Sequence, residues 1–174
     1  MQLKFDEYFM AIALREAEKA AKAGEVPTGC VIIERPGSPC DIPPAAVTIL
    51  AKSHNEAESL CDATAHAEML ALSAAFAARG TWRLNDTILY VTKEPCPMCA
   101  GAIALARVSR VVWGVSDPKR GGHSVFDIFN HPGMNHHPET SSGVLEDECR
   151  FILQDFFKKR RNEAREKLVC TQQL

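Results

Sequence analysis

The sequence His66-Ala67-Glu68, followed after residues 69–94 by Pro95-Cys96-Pro97-Met98-Cys99, offers three metal ligands and one further carboxylate. One imidazole and two thiolates can fill three corners of a tetrahedral Zn²⁺, and three protein ligands is the count typical of a catalytic zinc site. The fourth corner is left for a catalytic water. Two thiolates neutralise the ion, so it acidifies that water weakly and needs a nearby base. The pattern therefore predicts one Zn²⁺ per subunit, held by His66, Cys96 and Cys99, with Glu68 as the catalytic base.

The residues around these motifs predict that the ligands lie at the start of two helices. Asp62 or Thr64 is a suitable N-cap for a helix that contains His66 and Glu68 in its first turn and ends at Gly80. Cys96 is predicted to be the N-cap of a second helix, with Pro97 as its first residue, after a buried strand at 87–92. The partial positive charge of both helix N-termini would favour thiolates there.

Each motif alone has a less specific interpretation. A Cys-x-x-Cys pair is more often a structural zinc half-site or a redox pair than half of a catalytic centre. His-x-Glu alone is still weaker evidence for a catalytic centre. A non-catalytic zinc-binding or RNA-binding module, with Cys30 or Cys61 as a fourth ligand, is therefore one hypothesis. Glu68 argues against it, because a structural site does not need a carboxylate two residues from a ligand. The two motifs in this order match the signature of the zinc deaminases.

From Glu25 to about Arg161, the chain resembles the tRNA-specific adenosine deaminases of the cytidine-deaminase-like superfamily. The resemblance rests on several stretches: Glu25–Cys30, Ala63–Glu68, Thr87–Thr92, Glu94–Ala102, Arg110–Gly114, His131–His136, Gly143–Leu145, Phe156–Phe157 and Arg160–Arg161. It implies a three-layer α/β/α fold with a central mixed five-stranded sheet. It also implies a zinc-dependent homodimer that converts adenosine to inosine at wobble position 34 of a tRNA anticodon.

The metal motif suits equally a free-base or nucleoside deaminase of the same superfamily, acting on guanine or cytosine, so this alternative stays open. The His131–His136 stretch and the basic C-terminal helix favour the tRNA enzyme. Within that helix, Lys158-Lys159-Arg160-Arg161 is either a solvated helix end or a phosphate-binding segment. The resemblance favours RNA contact by Arg160 and Arg161.

The resemblance also suggests residues that bind the substrate. Asn55, after the second predicted strand, resembles the asparagine of the family that hydrogen-bonds the purine. Asp117 and Lys119 resemble positions that line the path of the anticodon. Two residues depart from the family pattern beside the predicted pocket: Thr28 and Lys93 stand where apolar residues are usual.

Composition favours one compact domain. The chain has 174 residues, of which 46% are hydrophobic and 24% charged, so residues 1–174 are predicted to form a single domain, which the resemblance implies is a zinc-dependent deaminase domain. Residues 35–46, with four prolines, are predicted to be a surface insertion between the first two strands, and residues 146–174 a basic C-terminal helix and tail.

The net charge of −2 argues against a uniformly basic nucleic-acid binder. The odd count of seven cysteines and the lack of a signal-peptide pattern predict a reducing, cytoplasmic location.

The remaining pattern predicts alternating strands and helices. One face of a first helix combines Phe9, Ile12, Ala13, Ala17 and Ala20, and Gly24 ends it. The other predicted elements are strands near 28–33, 47–51, 108–113 and 141–144, a short helix near 125–129, and a long helix from Glu146. The small residues at 100–106 are a possible dimer interface. The histidines outside the metal motif are predicted to lie in loops with their imidazoles at the surface: His54, His123, His131, His136 and His137.

Overall fold

The computed structural model describes residues 2–35, 37 and 42–171. The helices are α1 (Gln2–Lys22), α2 (Ala67–Arg79), α3 (Pro97–Leu105) and α4 (Glu146–Thr171). The strands are β1 (Gly29–Glu34), β2 (Ile49–His54), β3 (Thr87–Lys93), β4 (Arg110–Val115) and β5 (Glu139–Ser142). Two single-turn 3₁₀ helices span Pro44–Ala46 and Ile128–Asn130. None of the described helices is long and apolar enough to cross a membrane.

The five strands form one mixed sheet in the order β2-β1-β3-β4-β5. β1 pairs antiparallel with both β2 and β3, whereas β3, β4 and β5 run parallel to one another. The parallel pairs need crossover connections, and α3 supplies the one between β3 and β4. The carboxyl ends of β3 and β4 therefore lie side by side, which brings the residues after Lys93 next to those after Val115.

Alternate residues of the central strands face two separate hydrophobic cores. Ile32 and Leu89 belong to a core shared with α2 and α3, while Val31 and Tyr90 belong to a second core shared with α1 and α4. Because successive side chains of a strand point to opposite faces, α2 and α3 cover one face of the sheet and α1 and α4 the other. The predicted three-layer arrangement is confirmed. The predicted buried face of α1 is also confirmed, from Phe9 to Ala20, and Gly24 follows the helix at φ +80°.

Several predicted boundaries differ from the structure. The strand predicted at 108–113 is β4 at 110–115, the one at 141–144 is β5 at 139–142, and the one at 47–51 is β2 at 49–54. Val108 is buried but lies before β4, since Arg107 has a left-handed backbone (φ +61°) that turns the chain there. The short helix predicted at 125–129 spans 128–130 instead. Within the predicted insertion, residues 44–46 form a 3₁₀ turn, whereas Cys40 and its neighbours lie outside the described residues.

The predicted dimer face at 100–106 is divided between the interior and the surface. Ala100, Ile103 and Ala104 are fully buried in the core of their own chain, so they are not available to a partner. Leu105 is 64% exposed, and Met98 lies at the surface one residue after Pro97. Simple packing against the sheet thus explains much of the alanine-rich pattern.

The prediction of surface histidines holds for His131 and His137, which are exposed, and is wrong for the other three. His54 is the last residue of β2, and its Nδ1 lies 3.5 Å from a carboxylate oxygen of Glu16. The other two are partly buried by contacts that a sequence pattern does not reveal. The His123 ring packs against Trp113 and Phe129, and Nε2 of His136 lies 2.7 Å from the carbonyl oxygen of Val108.

Candidate metal centre and substrate pocket

The first predicted ligand, His66, lies at the start of α2. His66 itself is the N-cap of this helix, and it makes no side-chain capping bond, so the prediction of Asp62 or Thr64 as the cap is wrong. Asp62 instead accepts hydrogen bonds from the backbone N–H and the hydroxyl of Thr64, at 2.8 and 2.7 Å, and closes a turn ahead of the helix. Glu68 follows in the first turn of α2, and Gly80 (φ +64°) ends the helix, as predicted.

The other two predicted ligands, Cys96 and Cys99, lie at the start of α3, as predicted. Cys96 is the N-cap and Pro97 the first helical residue, where its missing N–H removes no helical hydrogen bond. The Cys96 side chain makes no capping bond, so its sulfur is free to bind a metal. Cys99 lies one turn further along the same helix and is fully buried. Its position beside Cys96 follows from the helical repeat.

The donor atoms have the spacing that zinc requires. Nδ1 of His66 lies 3.6 Å from Sγ of Cys96 and 3.5 Å from Sγ of Cys99. Usual zinc bond lengths of about 2.3 Å to sulfur and about 2.0 Å to nitrogen, at a tetrahedral angle, need a nitrogen–sulfur separation of about 3.5 Å. The three residues therefore fit a zinc ion. No fourth His, Cys, Asp or Glu joins this group within the described part of the chain.

Electrostatics at the helix starts favour a thiolate, the form that binds metal. The pKa of the Cys96 thiol is lowered to about 4, first by a hydrogen bond from the Cys99 thiol and also by His66, against the opposing effect of burial. The pKa of Cys99 is raised by its hydrogen bond to Cys96 and by burial, because the two thiols share one proton. The N-termini of α2 and α3 add partial positive charge at the same point.

Glu68 lies beside these three residues but does not belong to their group of donor atoms. Its carboxyl is only 3% exposed, and burial raises its pKa. Cys30, a fourth-ligand candidate in the module hypothesis, is fully buried, and its pKa is raised by burial and by the nearby Glu68. Cys61, the other candidate, is exposed and lies outside the group of donor atoms. The arrangement is thus a three-donor site with a separate carboxyl beside it.

A cavity of about 590 Å³ opens from this centre to the surface. Its volume lies within the range usual for small-molecule sites. The floor includes His66, Glu68 and Cys96. The walls and mouth are formed by Glu25, Val26, Thr28, Asn55, Ala57, Glu58, Lys93, Glu94, Asp117, Lys119, Arg120 and Phe157. Asn55, Asp117 and Lys119, predicted from the family resemblance to bind substrate, thus all lie at one cavity.

A buried carboxylate supports each wall, and neither was predicted from the sequence. Glu25 accepts hydrogen bonds from Asn55 Nδ2 and from the backbone N–H groups of residues 58 and 59. On the other wall, Glu94 accepts hydrogen bonds from the backbone of Asp117 at 2.8 Å and of Ser124 at 2.7 Å. Both residues stand inside the stretches that carry the family resemblance. An acid directly after the apolar strand β3 was the available signal for Glu94.

Lys93, one of the two residues expected to depart from the family pattern, forms an ion pair with Asp117. Burial opposes ionisation of Asp117, but the Lys93 ammonium and the backbone N–H groups of Lys119 and Arg120 together outweigh it, and the pKa is lowered. The other oxygen of Asp117 accepts the backbone N–H groups of Lys119 and Arg120, at 2.9 and 3.1 Å. Both oxygens of Asp117 therefore accept hydrogen bonds from residues of the chain itself. The side chains of Lys119 and Arg120 are exposed at the mouth. Thr28, the second departure, also lines the cavity.

The C-terminal helix α4 reaches the cavity. Phe157 lines the mouth and is 43% exposed. Arg160 and Arg161 do not line the cavity, but they lie one helical turn beyond Phe157. The guanidinium of Arg160 lies 5.9 Å from the centroid of the Phe156 ring. An aromatic ring and a basic segment thus adjoin the entrance.

Comparison with known proteins agrees with this geometry. The sequence profile described as the cytidine and deoxycytidylate deaminase zinc-binding region matches residues 3–115. The tRNA-specific adenosine deaminase of Bacillus subtilis is 43% identical over 161 residues, which cover 92% of this chain and 93% of that protein. That of Aquifex aeolicus is 43% identical over 157 residues, which cover 90% of this chain and 96% of that protein.

The fold has solved counterparts as well. A structure from biochemical and structural studies of A-to-I editing by tRNA:A34 deaminases at the wobble position of transfer RNA superposes with a TM-score of 0.75. It is 39% identical in sequence, and the match covers 84% of this chain and 99% of that one.

Proposed function

This chain belongs to the cytidine and deoxycytidylate deaminase zinc-binding family, and we propose that it hydrolyses adenosine to inosine at wobble position 34 of a tRNA anticodon. The observation that carries the proposal is a three-donor zinc site at the floor of a cavity with a cationic and aromatic mouth. Lys119, Arg120 and Phe157 at the mouth suit a nucleotide in an RNA loop, since phosphates attract cations and bases stack on aromatic rings.

His66, Cys96 and Cys99 would hold the zinc ion. When bound, zinc acidifies a water molecule and so supplies the nucleophile for hydrolysis. The cavity receives an adenine that has been turned out of its stack in the loop. Glu68 takes a proton from the water and gives it to ring nitrogen N1 as oxygen attacks C6. It then transfers the second proton of the water to the amino group, which leaves as ammonia. Asn55 contacts the purine from the wall of the cavity.

The experiment that tests this function compares substrates. The purified protein is incubated with total tRNA, with an anticodon stem-loop that carries adenosine at position 34, and separately with guanine, cytosine and adenosine. We expect release of ammonia with the two RNA substrates and little with the three small molecules. Release with guanine or cytosine, and none with RNA, would establish the small-molecule alternative instead.

We propose that the chain acts as a homodimer in the cytoplasm. Met98 and Leu105 support this, because both expose apolar surface on α3. Sedimentation at a series of protein concentrations is the measurement. We expect a dimer, and a monomer at all concentrations that is fully active on tRNA would contradict the proposal.

Neutralising Arg160 and Arg161 should weaken tRNA binding without changing zinc content. If both contact phosphates, replacing them by glutamine raises KM for the stem-loop and lowers the slope of log affinity against log salt by about 1.4–1.8, at about 0.7–0.9 per contact. The measurement is binding at several salt concentrations. A matched control is Lys4→Gln with Arg15→Gln, two exposed positions on α1 that do not line the cavity. An equal change of slope in both variants would show that Arg160 and Arg161 do not contact phosphates and belong to a solvated helix segment.

A further inference from the structure

Glu25 is a buried carboxylate that no cation accompanies among the described residues. It is 1% exposed and follows Gly24, the residue that ends the turn after α1. Its Oε1 accepts the backbone N–H of Ser59 at 2.8 Å, and its Oε2 accepts the backbone N–H of Glu58 at 3.2 Å and Nδ2 of Asn55 at 3.0 Å. Burial opposes ionisation, but these hydrogen bonds outweigh it and lower the pKa of Glu25.

An ionised carboxylate can only accept hydrogen bonds, so it fixes which end of an amide faces it. The NH₂ group of Asn55 must therefore face Glu25, and its carbonyl oxygen must face elsewhere. The backbone of Asn55 is fixed as well, since its N–H donates to the carbonyl oxygen of Thr28 at 3.0 Å. Asn55 lines the cavity although it is only 7% exposed. No group in the described part of the chain donates a hydrogen bond to its Oδ1.

We infer that Glu25 is a positioning residue, which holds the Asn55 amide so that its carbonyl oxygen accepts a hydrogen bond from a donor group of the bound purine nucleoside. This inference rests on the proposed function. Without Glu25, the amide can rotate by 180° and present N–H groups to the same donor. The base then binds in a shifted position, and a shift of about 1 Å from the reacting geometry can cost about 10²-fold in rate.

Glu25→Gln tests the inference because it keeps the shape of the side chain and removes the obligatory acceptor. We expect turnover on the stem-loop to fall about 10–100-fold. KM should change by less than about 3-fold, because phosphate contacts supply most of the affinity for RNA. Asn55→Asp alone should also lower turnover, because it places a second carboxylate against that of Glu25 and the two negative charges repel. This variant keeps the bonds from Glu25 to the backbone of 58 and 59, so it can be interpreted by itself if Glu25→Gln does not fold.

The decisive measurement is the double variant Glu25→Gln with Asn55→Asp. The new glutamine can donate to the new aspartate, which still presents an acceptor oxygen to the cavity. We expect its turnover to exceed that of either single variant by at least about 5-fold, because hydrogen bonds between paired groups couple strongly. The midpoint of thermal unfolding should not show the same recovery. Glu94→Gln is the matched control, because Glu94 is equally buried in the other wall and does not contact Asn55. Asn55→Asp should not rescue it.

The inference would be overturned by a double variant no more active than the single ones, or by a loss from Glu25→Gln that is equally large when Asn55 is already alanine. Near wild-type turnover of Asn55→Asp would overturn it too. Failure of the proposed function looks different, since the wild-type protein would then be inactive on the stem-loop. In that case the same variants are measured on whichever base the wild-type protein deaminates.

Discussion

Glu68→Gln is expected to lower turnover on the stem-loop by about 10²–10⁴-fold, the usual contribution of a positioned proton-transfer group. The amide has the size of the carboxyl but cannot take a proton from water. The replaced group is 3% exposed beside the metal ligands, so bulk water cannot readily replace it. Zinc content should stay at one ion per chain, because Glu68 is not among the three donors.

Two measurements on the same protein check this prediction: single-turnover formation of inosine, and elemental analysis for zinc. Glu18→Gln provides the control, since this glutamate is exposed on α1 and does not line the cavity. It should keep wild-type turnover. Near-normal activity of Glu68→Gln with full zinc content would remove Glu68 from the mechanism.

Replacement of His66, Cys96 or Cys99 by alanine is expected to abolish tight zinc binding and activity together. Each substitution removes one of the three protein bonds, and two remaining ligands do not hold zinc in a closed geometry. Zinc content should fall from one ion per chain to nearly none. The loss of bound metal should also lower the midpoint of thermal unfolding, because a ligand that binds only the folded state stabilises it.

Cys61→Ala is the control for the metal site. Cys61 is exposed and lies outside the three-donor group, so this variant should retain both zinc and activity. Replacement of the buried Cys30 or Cys149 should spare zinc as well. A Cys96→Ala protein with one zinc per chain, together with a zinc-free Cys61→Ala protein, would reverse the proposed ligand assignment.

The grouping of the metal ligands could be predicted from sequence because the signals are local. Cys96 and Pro97 start α3 through their own conformational preferences, and the helical repeat then places Cys99 beside Cys96. The apolar face of α1 was predictable for the same reason, since burial follows the 3.6-residue period. The roles of these ligands, of Glu68 and of the predicted RNA-contacting residues stay predictions until the variants are measured.

The walls of the cavity could not be predicted, because their contacts join distant parts of the chain. Glu25 accepts a hydrogen bond from the backbone N–H of Ser59, 34 residues away in sequence. Glu94 accepts one from the backbone N–H of Ser124, 30 residues away. A pattern of hydrophobic residues assigns a glutamate to the surface, whereas backbone N–H groups from these loops satisfy both carboxylates in the interior. The predicted N-cap of α2 was wrong for a related reason. Asp62 had a nearer hydrogen-bond partner in Thr64, so it closed a turn instead of starting the helix.

Deamination of adenosine at position 34 of a tRNA anticodon is the activity that we propose for this chain. The most direct measurement is mass spectrometry of two anticodon stem-loops after incubation with the zinc-loaded protein, one with adenosine at position 34 and one with adenosine at position 35 only. We expect inosine at position 34 of the first RNA, none in the second, and none in either with Glu68→Gln. Unchanged adenosine at position 34, with ammonia released from free guanine or cytosine by the same protein, would contradict it.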